Sequence, residues 1–197
     1  MKANEASKES RLLETAYKLF TRKGVKDTSI QEIADNADVG KGTFYLYFKD
    51  KYEIRDVLIY RKSKKLFNDA YKESKKQNFS NLTDQIIFII DSVINKLIKN
   101  QVLLKFISKN LSWGVFNDTL KNVYTISNEE DTDGIYDLFI KGINEYKIKV
   151  ENPKATLFMI IELVSSTCYN SILYEEPEPI DEFKPKLYDT IRKIIDE

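Results

Sequence analysis

The side chains best suited to specific binding lie in one short window, residues 28–51. Lys41 and Thr43 lie two residues apart, and Tyr45 and Tyr47 follow at the same spacing. A lysine ammonium can donate to guanine acceptors, and a threonine can hydrogen-bond to a base or place its methyl group against thymine. Tyrosine hydroxyls can reach phosphate oxygens beside a groove. This combination predicts a surface that binds nucleic acid.

Other residues of the window suit close contact with a phosphate backbone. Thr28 and Ser29 precede a short apolar-periodic stretch, and Lys51 begins a longer one. The N-terminus of a helix attracts anions through its free N–H groups and its dipole, and a lysine charge adds to that attraction. Gly42 leaves room where a side chain would meet DNA, and Gly40 is assigned to the same surface.

Two short helices joined by a tight turn would position these side chains. Ser29 and Glu32 have the spacing of a capping box, so a helix is expected to begin there. Residues 38–40 have the composition of a turn, and a second short helix is predicted over 42–48. Such a pair is a helix-turn-helix, whose second helix enters a major groove.

This window resembles the TetR/AcrR family of bacterial repressors. The matching residues are Thr28, Ser29, Ile33, Ala34, Ala37, Val39, Gly42, Thr43, Tyr45, Tyr47, Phe48 and Lys51, with Ala16, Phe20 and Gly24 upstream. The resemblance spans about residues 9–60. Asp38 stands where the family usually has Gly, and Gly40 where it has Ser. Because Asp tolerates unusual backbone angles, the turn is expected to persist.

The resemblance implies an all-α fold of about nine helices. It implies a three-helix DNA-binding head, residues 1–52, fused to a larger helical domain, residues 53–197, for effector binding and dimerisation. It also implies DNA-contact roles for seven residues of the window. These are Thr28, Lys41, Gly42, Thr43, Tyr45, Tyr47 and Lys51.

The rest of the chain favours helices independently of the resemblance. Apolar residues recur at helical spacing over residues 82–99, 101–124, 154–174 and 181–195, and no strand pattern competes for more than a few residues. A long fourth helix is predicted from Lys51 to about residue 76.

The composition argues against catalysis and against a metal or other cofactor. The chain has no histidine, which is the commonest general base and metal ligand, and its one cysteine, Cys168, lies in an apolar stretch. The acidic run 129–134 lacks the spacing of a calcium loop. A single thiol and a polar N-terminus favour a cytoplasmic protein.

The net charge of zero hides an uneven distribution. Residues 1–65 hold 15 basic and 10 acidic side chains, and the remainder holds 16 and 21. The N-terminal part is therefore the electropositive one and is expected to face phosphate.

The C-terminal part is expected to form a homodimer and a pocket for a small-molecule effector. The candidate interface residues are Leu157, Ile161, Val164, Ile172, Leu187, Ile191 and Ile194. The candidate pocket residues are Phe88, Phe106, Trp113, Phe116, Tyr124, Tyr136, Phe139, Phe158, Glu162 and Tyr169. Aromatic residues at helical spacing also occur in ordinary cores. Glu162 would need either an internal partner or a cationic ligand if it were buried.

The sequence thus predicts a sequence-specific DNA-binding regulator of transcription. A repressor that an effector releases from operator DNA is the favoured form. The alternative is a helical sensor or protein-interaction module that keeps the fold without binding an operator.

Overall fold

The computed structural model describes residues 2–108, 111 and 134–196. These residues form nine helices and no strand. The helices are α1 (Lys2–Lys23), α2 (Ile30–Asn36), α3 (Lys41–Tyr47), α4 (Lys51–Ser74), α5 (Leu82–Lys99), α6 (Gln101–Ile107), α7 (Ile135–Tyr146), α8 (Pro153–Tyr174) and α9 (Ile180–Asp196). The all-α prediction is confirmed. The predicted helix 101–124 is described only at its start, since most of it lies outside the described residues.

The chain divides into two compact units, and the division falls within α4, between Arg61 and Lys62. The sequence analysis instead placed the domain boundary at residue 52, near the start of this helix. Unit 1 denotes the described residues up to 61, and unit 2 denotes those from 62 onward.

Unit 1 is a small helical core that holds α2 and α3 in place. α1 packs against α2, and α2 packs against α3. Leu12, Ile33, Phe44 and Ile54, one from each of its four helices, are completely buried. Burial of one such side chain contributes about 1.5–3 kcal/mol, so this core fixes how α3 is presented.

Unit 2 packs α8 against α5, α6, α7 and α9. Asp91 on α5 accepts hydrogen bonds from Tyr188 at 2.6 Å and Lys184 at 2.9 Å, both on α9. Partial burial acts to raise the pKa of Asp91, but these bonds outweigh it and lower the pKa. The polar network therefore fixes α9 on α5.

α8 is long and apolar enough to cross a membrane by composition alone. Within unit 2 it is a core helix, because Leu157, Ile160, Ile161 and Val164 are all buried among its neighbours.

Candidate nucleic-acid interface

The start of α2 is fixed by a side-chain cap and an ion pair. Ser29 Oγ accepts a hydrogen bond from the Glu32 N–H at 3.1 Å, as the predicted capping box requires. The Glu32 carboxylate binds Lys23 at the end of α1, at 2.5 Å. This hydrogen bond, and to a lesser extent a backbone hydrogen bond from Ser29, lower the pKa of Glu32. Glu32 therefore joins the start of α2 both to its own cap residue and to the end of α1.

The turn between α2 and α3 depends on an unusual backbone angle at Asp38. Its φ of 53° lies in the left-handed region, where most residues with a Cβ are strained. Its carboxylate also pairs with Arg11 on α1 at 3.3 Å. This left-handed angle agrees with the expectation that the turn persists with Asp38 where the family usually has Gly.

We expect Asp38→Ala to lower the free energy of unfolding by about 1 kcal/mol, because alanine fits the left-handed region poorly. Asp38→Gly should not lower it, since glycine accepts this angle freely. Urea unfolding measures both, with Asp35→Ala as a control on an ordinary helical residue. Equal losses for Gly and Ala would show that the Arg11 pair, and not the backbone, matters at this position.

α3 turns one side inward and presents the other to solvent. Phe44 is fully buried, whereas Leu46 on the opposite side is 81% exposed. Gly42 lies one helical turn before Leu46 on the same outer side. A Cβ added at Gly42 would meet no other atom of the protein within 4 Å. The protein's own packing therefore does not require glycine there.

Lys41 and Tyr45 flank this outer side, and both are exposed. Nothing in the described part of the chain engages the Lys41 ammonium. Thr43 and Tyr47 are half-buried at the edges of the face. Of the predicted contact residues of α3, Lys41, Gly42 and Tyr45 thus lie on the accessible side, and Thr43 and Tyr47 lie at its edges. Sequence reasoning missed Leu46, although its position opposite Phe44 on a helical wheel would have found it.

Thr28 is placed differently from its predicted role. It is 1% exposed, and its hydroxyl donates to the Gly24 carbonyl at 2.8 Å. Its side chain therefore cannot contact DNA in this conformation, and it instead closes the loop between α1 and α2. Ser29 is exposed, but its hydroxyl is already used as the cap.

Lys51 also has an internal role. Its ammonium donates to the carbonyls of Lys26 at 2.7 Å and Thr28 at 3.0 Å. An ammonium has three N–H donors, so one remains for a phosphate oxygen. Lys51 thereby joins the start of α4 to the loop before α2.

Unit 2 contains an apolar cavity that is partly open to solvent. Its described walls come from α4, α5, α6, α7 and α8, with Phe67 and Tyr71 supplied by α4. Burial raises the pKa of Cys168 in this wall to about 12. In the part of the chain that the structure describes, no group of three or more acidic or cysteine side chains could hold a metal ion.

Among the described residues that the sequence predicts to line a pocket, one, Phe139, lines the cavity. The described residues that do not line it are Phe88, Phe106, Tyr136, Phe158, Glu162 and Tyr169. Trp113, Phe116 and Tyr124 lie outside the described residues. Glu162 is exposed, so neither an internal partner nor a cationic ligand is required to compensate its charge.

The predicted dimer residues also need correction. Five of them, Leu157, Ile161, Val164, Leu187 and Ile191, are buried within unit 2 itself. Ile172 and Ile194 are half-buried in the same core. None of these buried side chains is free to contact a second copy. The exposed apolar residues of α8 are instead Phe158 at 45%, Met159 at 52% and Tyr174 at 61%.

Comparison with known proteins finds a family model that matches the helix-turn-helix region. The family model "Bacterial regulatory proteins, tetR family" matches residues 12–58. The uncharacterized HTH-type transcriptional regulator YuxN of Bacillus subtilis is 52% identical over 44 residues, which are 22% of this chain and 15% of that protein. An HTH-type transcriptional regulator of Staphylococcus aureus is 30% identical over 146 residues, which are 74% of this chain and 75% of that protein.

The fold likeness extends over nearly the whole chain. The solved structure of the transcriptional regulator FadR from Bacillus subtilis, in complex with stearoyl-CoA, has a TM-score of 0.59 at 16% identity. The match covers 92% of this chain and 96% of that one. With the family-model match and the S. aureus relative, the chain belongs to the TetR family of bacterial regulatory proteins, which regulate transcription by binding DNA through a helix-turn-helix.

Proposed function

We propose that this protein is a cytoplasmic, homodimeric repressor that leaves its operator when a small molecule binds in unit 2. The observation that carries the proposal is the outer side of α3, where Lys41, Gly42, Tyr45 and Leu46 are all exposed. A helix held by a buried inner side and open on its outer side fits a major groove. The protein acts by binding and not by catalysis.

The described exposed residues of α8 form a stripe that supports a dimer. Phe158 and Met159 lie near one end and Tyr174 at the other, and Ser166 lies midway between them. A two-fold axis at Ser166 would run two copies of α8 antiparallel, so that Phe158 meets Tyr174 of the second copy. The small serine allows the two helices to approach closely at the centre.

α4 supports the coupling between effector and DNA. Its first half carries Lys51, bonded to the loop before α2, and its second half carries Phe67 and Tyr71 in the cavity wall. A ligand that displaces this wall would shift α4 and change the separation of the two recognition helices. The ligand must bind the released form better than the DNA-bound form for this to work. FadR, which has the same fold, holds stearoyl-CoA, and this supports an effector site in this fold.

Binding to a DNA fragment from upstream of its own gene tests the proposal. Because the contacts to phosphate release counterions, affinity should fall on the order of 1000-fold between 50 and 200 mM salt. A scrambled fragment should bind far more weakly at every salt concentration. Fluorescence anisotropy measures both. A protein that binds neither fragment at low salt would instead be the sensor or interaction module without operator binding.

A further inference from the structure

The cavity of unit 2 is lined in a way that restricts the chemistry of its occupant. Ile86, Ile89 and Val93 of α5 line it together with Leu157 and Ile161 of α8. No Asp, Glu, Lys or Arg lies among the described residues of its wall. An ion placed among such side chains would lose its hydration without gaining a partner. The described part of the wall therefore favours an uncharged, largely hydrocarbon molecule.

Two polar groups of the wall keep unused hydrogen-bonding capacity. Ser108 Oγ is buried and has no hydrogen-bond partner among the described residues. The Gln85 carboxamide, almost completely buried, makes one bond, from Nε2 to Ser74 Oγ at 3.3 Å. Buried polar groups are nearly always paired, so an unpartnered hydroxyl in a cavity wall marks a place for a ligand's polar group. A serine hydroxyl can both donate and accept.

We infer that the cavity binds a neutral, mostly hydrocarbon effector with a hydrogen-bonding group, such as a hydroxyl, that bonds to Ser108 Oγ. This inference rests on the proposed function, because it takes the cavity to be the effector site. The polarity of the described wall suits this ligand class. A carboxylate or ammonium in place of the hydroxyl would stand without a counter-charge in the described wall.

Binding of three probes with the same chain length tests the ligand class: 1-decanol, decanoate and decylammonium. Titration calorimetry at neutral pH, below micellar concentrations, measures each affinity with the full-length protein. We expect 1-decanol to bind at one molecule per chain and to raise Tm, because it binds the folded state. The two ions should bind about tenfold or more weakly. Equal or tighter binding of either ion would overturn the inference.

Ser108→Ala tests the hydrogen bond. Without ligand, the variant should unfold at or slightly above the wild-type Tm, because Ser108 Oγ has no hydrogen-bond partner among the described residues. It should bind 1-decanol several-fold more weakly. Ser80→Ala, at an exposed position of unit 2 outside the cavity wall, is the matched control and should bind like wild type. Unchanged affinity in Ser108→Ala would overturn the assignment of this residue.

A DNA-release assay separates failure of this inference from failure of the proposed function. If 1-decanol binds in the cavity without releasing DNA, the ligand class stands and the proposed induction fails. If an ionic compound releases DNA and 1-decanol does not bind, induction stands and the ligand class is wrong.

Discussion

Gly42→Leu is expected to abolish operator binding while leaving the protein folded. A side chain at this position would point outward from α3, since the protein offers no atom within 4 Å of an added Cβ. It would lie one turn before Leu46, which already projects from the same side. The added side chain would hold the helix away from the base edges, where hydrogen bonds form only at short range. DNA affinity should fall about 100-fold or more, equivalent to roughly 2.8 kcal/mol.

The stability of the fold should rise slightly, whereas the DNA affinity falls. Glycine inside a helix costs about 1 kcal/mol relative to residues such as leucine and alanine, so the variant should be slightly more stable to urea. Gly42→Ala should give an intermediate loss of DNA affinity. A variant that binds DNA normally would show that this side of α3 does not enter the groove.

Gly142→Ala provides a matched control with the reverse pattern. Gly142 lies in α7 of unit 2, and its Cβ would come within 2.5 Å of Leu82 Cδ1 in the core. Overpacking of this kind costs about 1–3 kcal/mol unless the leucine can move. This variant should lose stability and keep its DNA affinity under conditions in which it is folded. The two glycine variants thus distinguish an effect on DNA binding from an effect on stability.

Ser166→Cys is expected to convert the protein into a covalent dimer on mild oxidation. If two copies of α8 cross at Ser166, the new cysteines would lie close enough for a disulfide, whose Cα atoms are about 4.4–6.8 Å apart. Non-reducing gel electrophoresis measures the dimer. The native Cys168 should not interfere, because it is buried and its thiol stays protonated.

Lys154→Cys is the control, since Lys154 is exposed near the start of the same helix. In the antiparallel arrangement its two copies would lie about 36 Å apart along the helix axes, too far for a disulfide. Efficient cross-linking at Lys154 but not at Ser166 would show that the two copies meet through a different face.

The sequence was sufficient to predict unit 1 because its signals agree. The apolar period of α2 and α3, the Ser29 cap and the turn residues around Asp38 all indicate the same helix-turn-helix. The role of Thr28 could not be predicted, because the same hydroxyl suits a DNA contact or a bond to Gly24. Only the folded loop decides between them.

Unit 2 was harder to predict for a physical reason. α8 carries apolar residues on every side, so its sequence cannot show which side faces the core and which a second copy. Leu157 and Phe158 are neighbours of similar character, yet one is buried and the other exposed. The sequence also could not show whether an aromatic residue lines a pocket or packs in an ordinary core. The described cavity wall consists mainly of Ile, Leu and Val.

The state of Cys168 also bears on which cellular signals the protein can sense. It is the only cysteine of the chain, and its pKa of about 12 keeps the thiolate, the form that peroxides attack, almost absent at neutral pH. Oxidation of this thiol by peroxide is therefore expected to be slow. Under the proposed function, the protein would respond to the effector that binds in unit 2 and not to oxidation of Cys168.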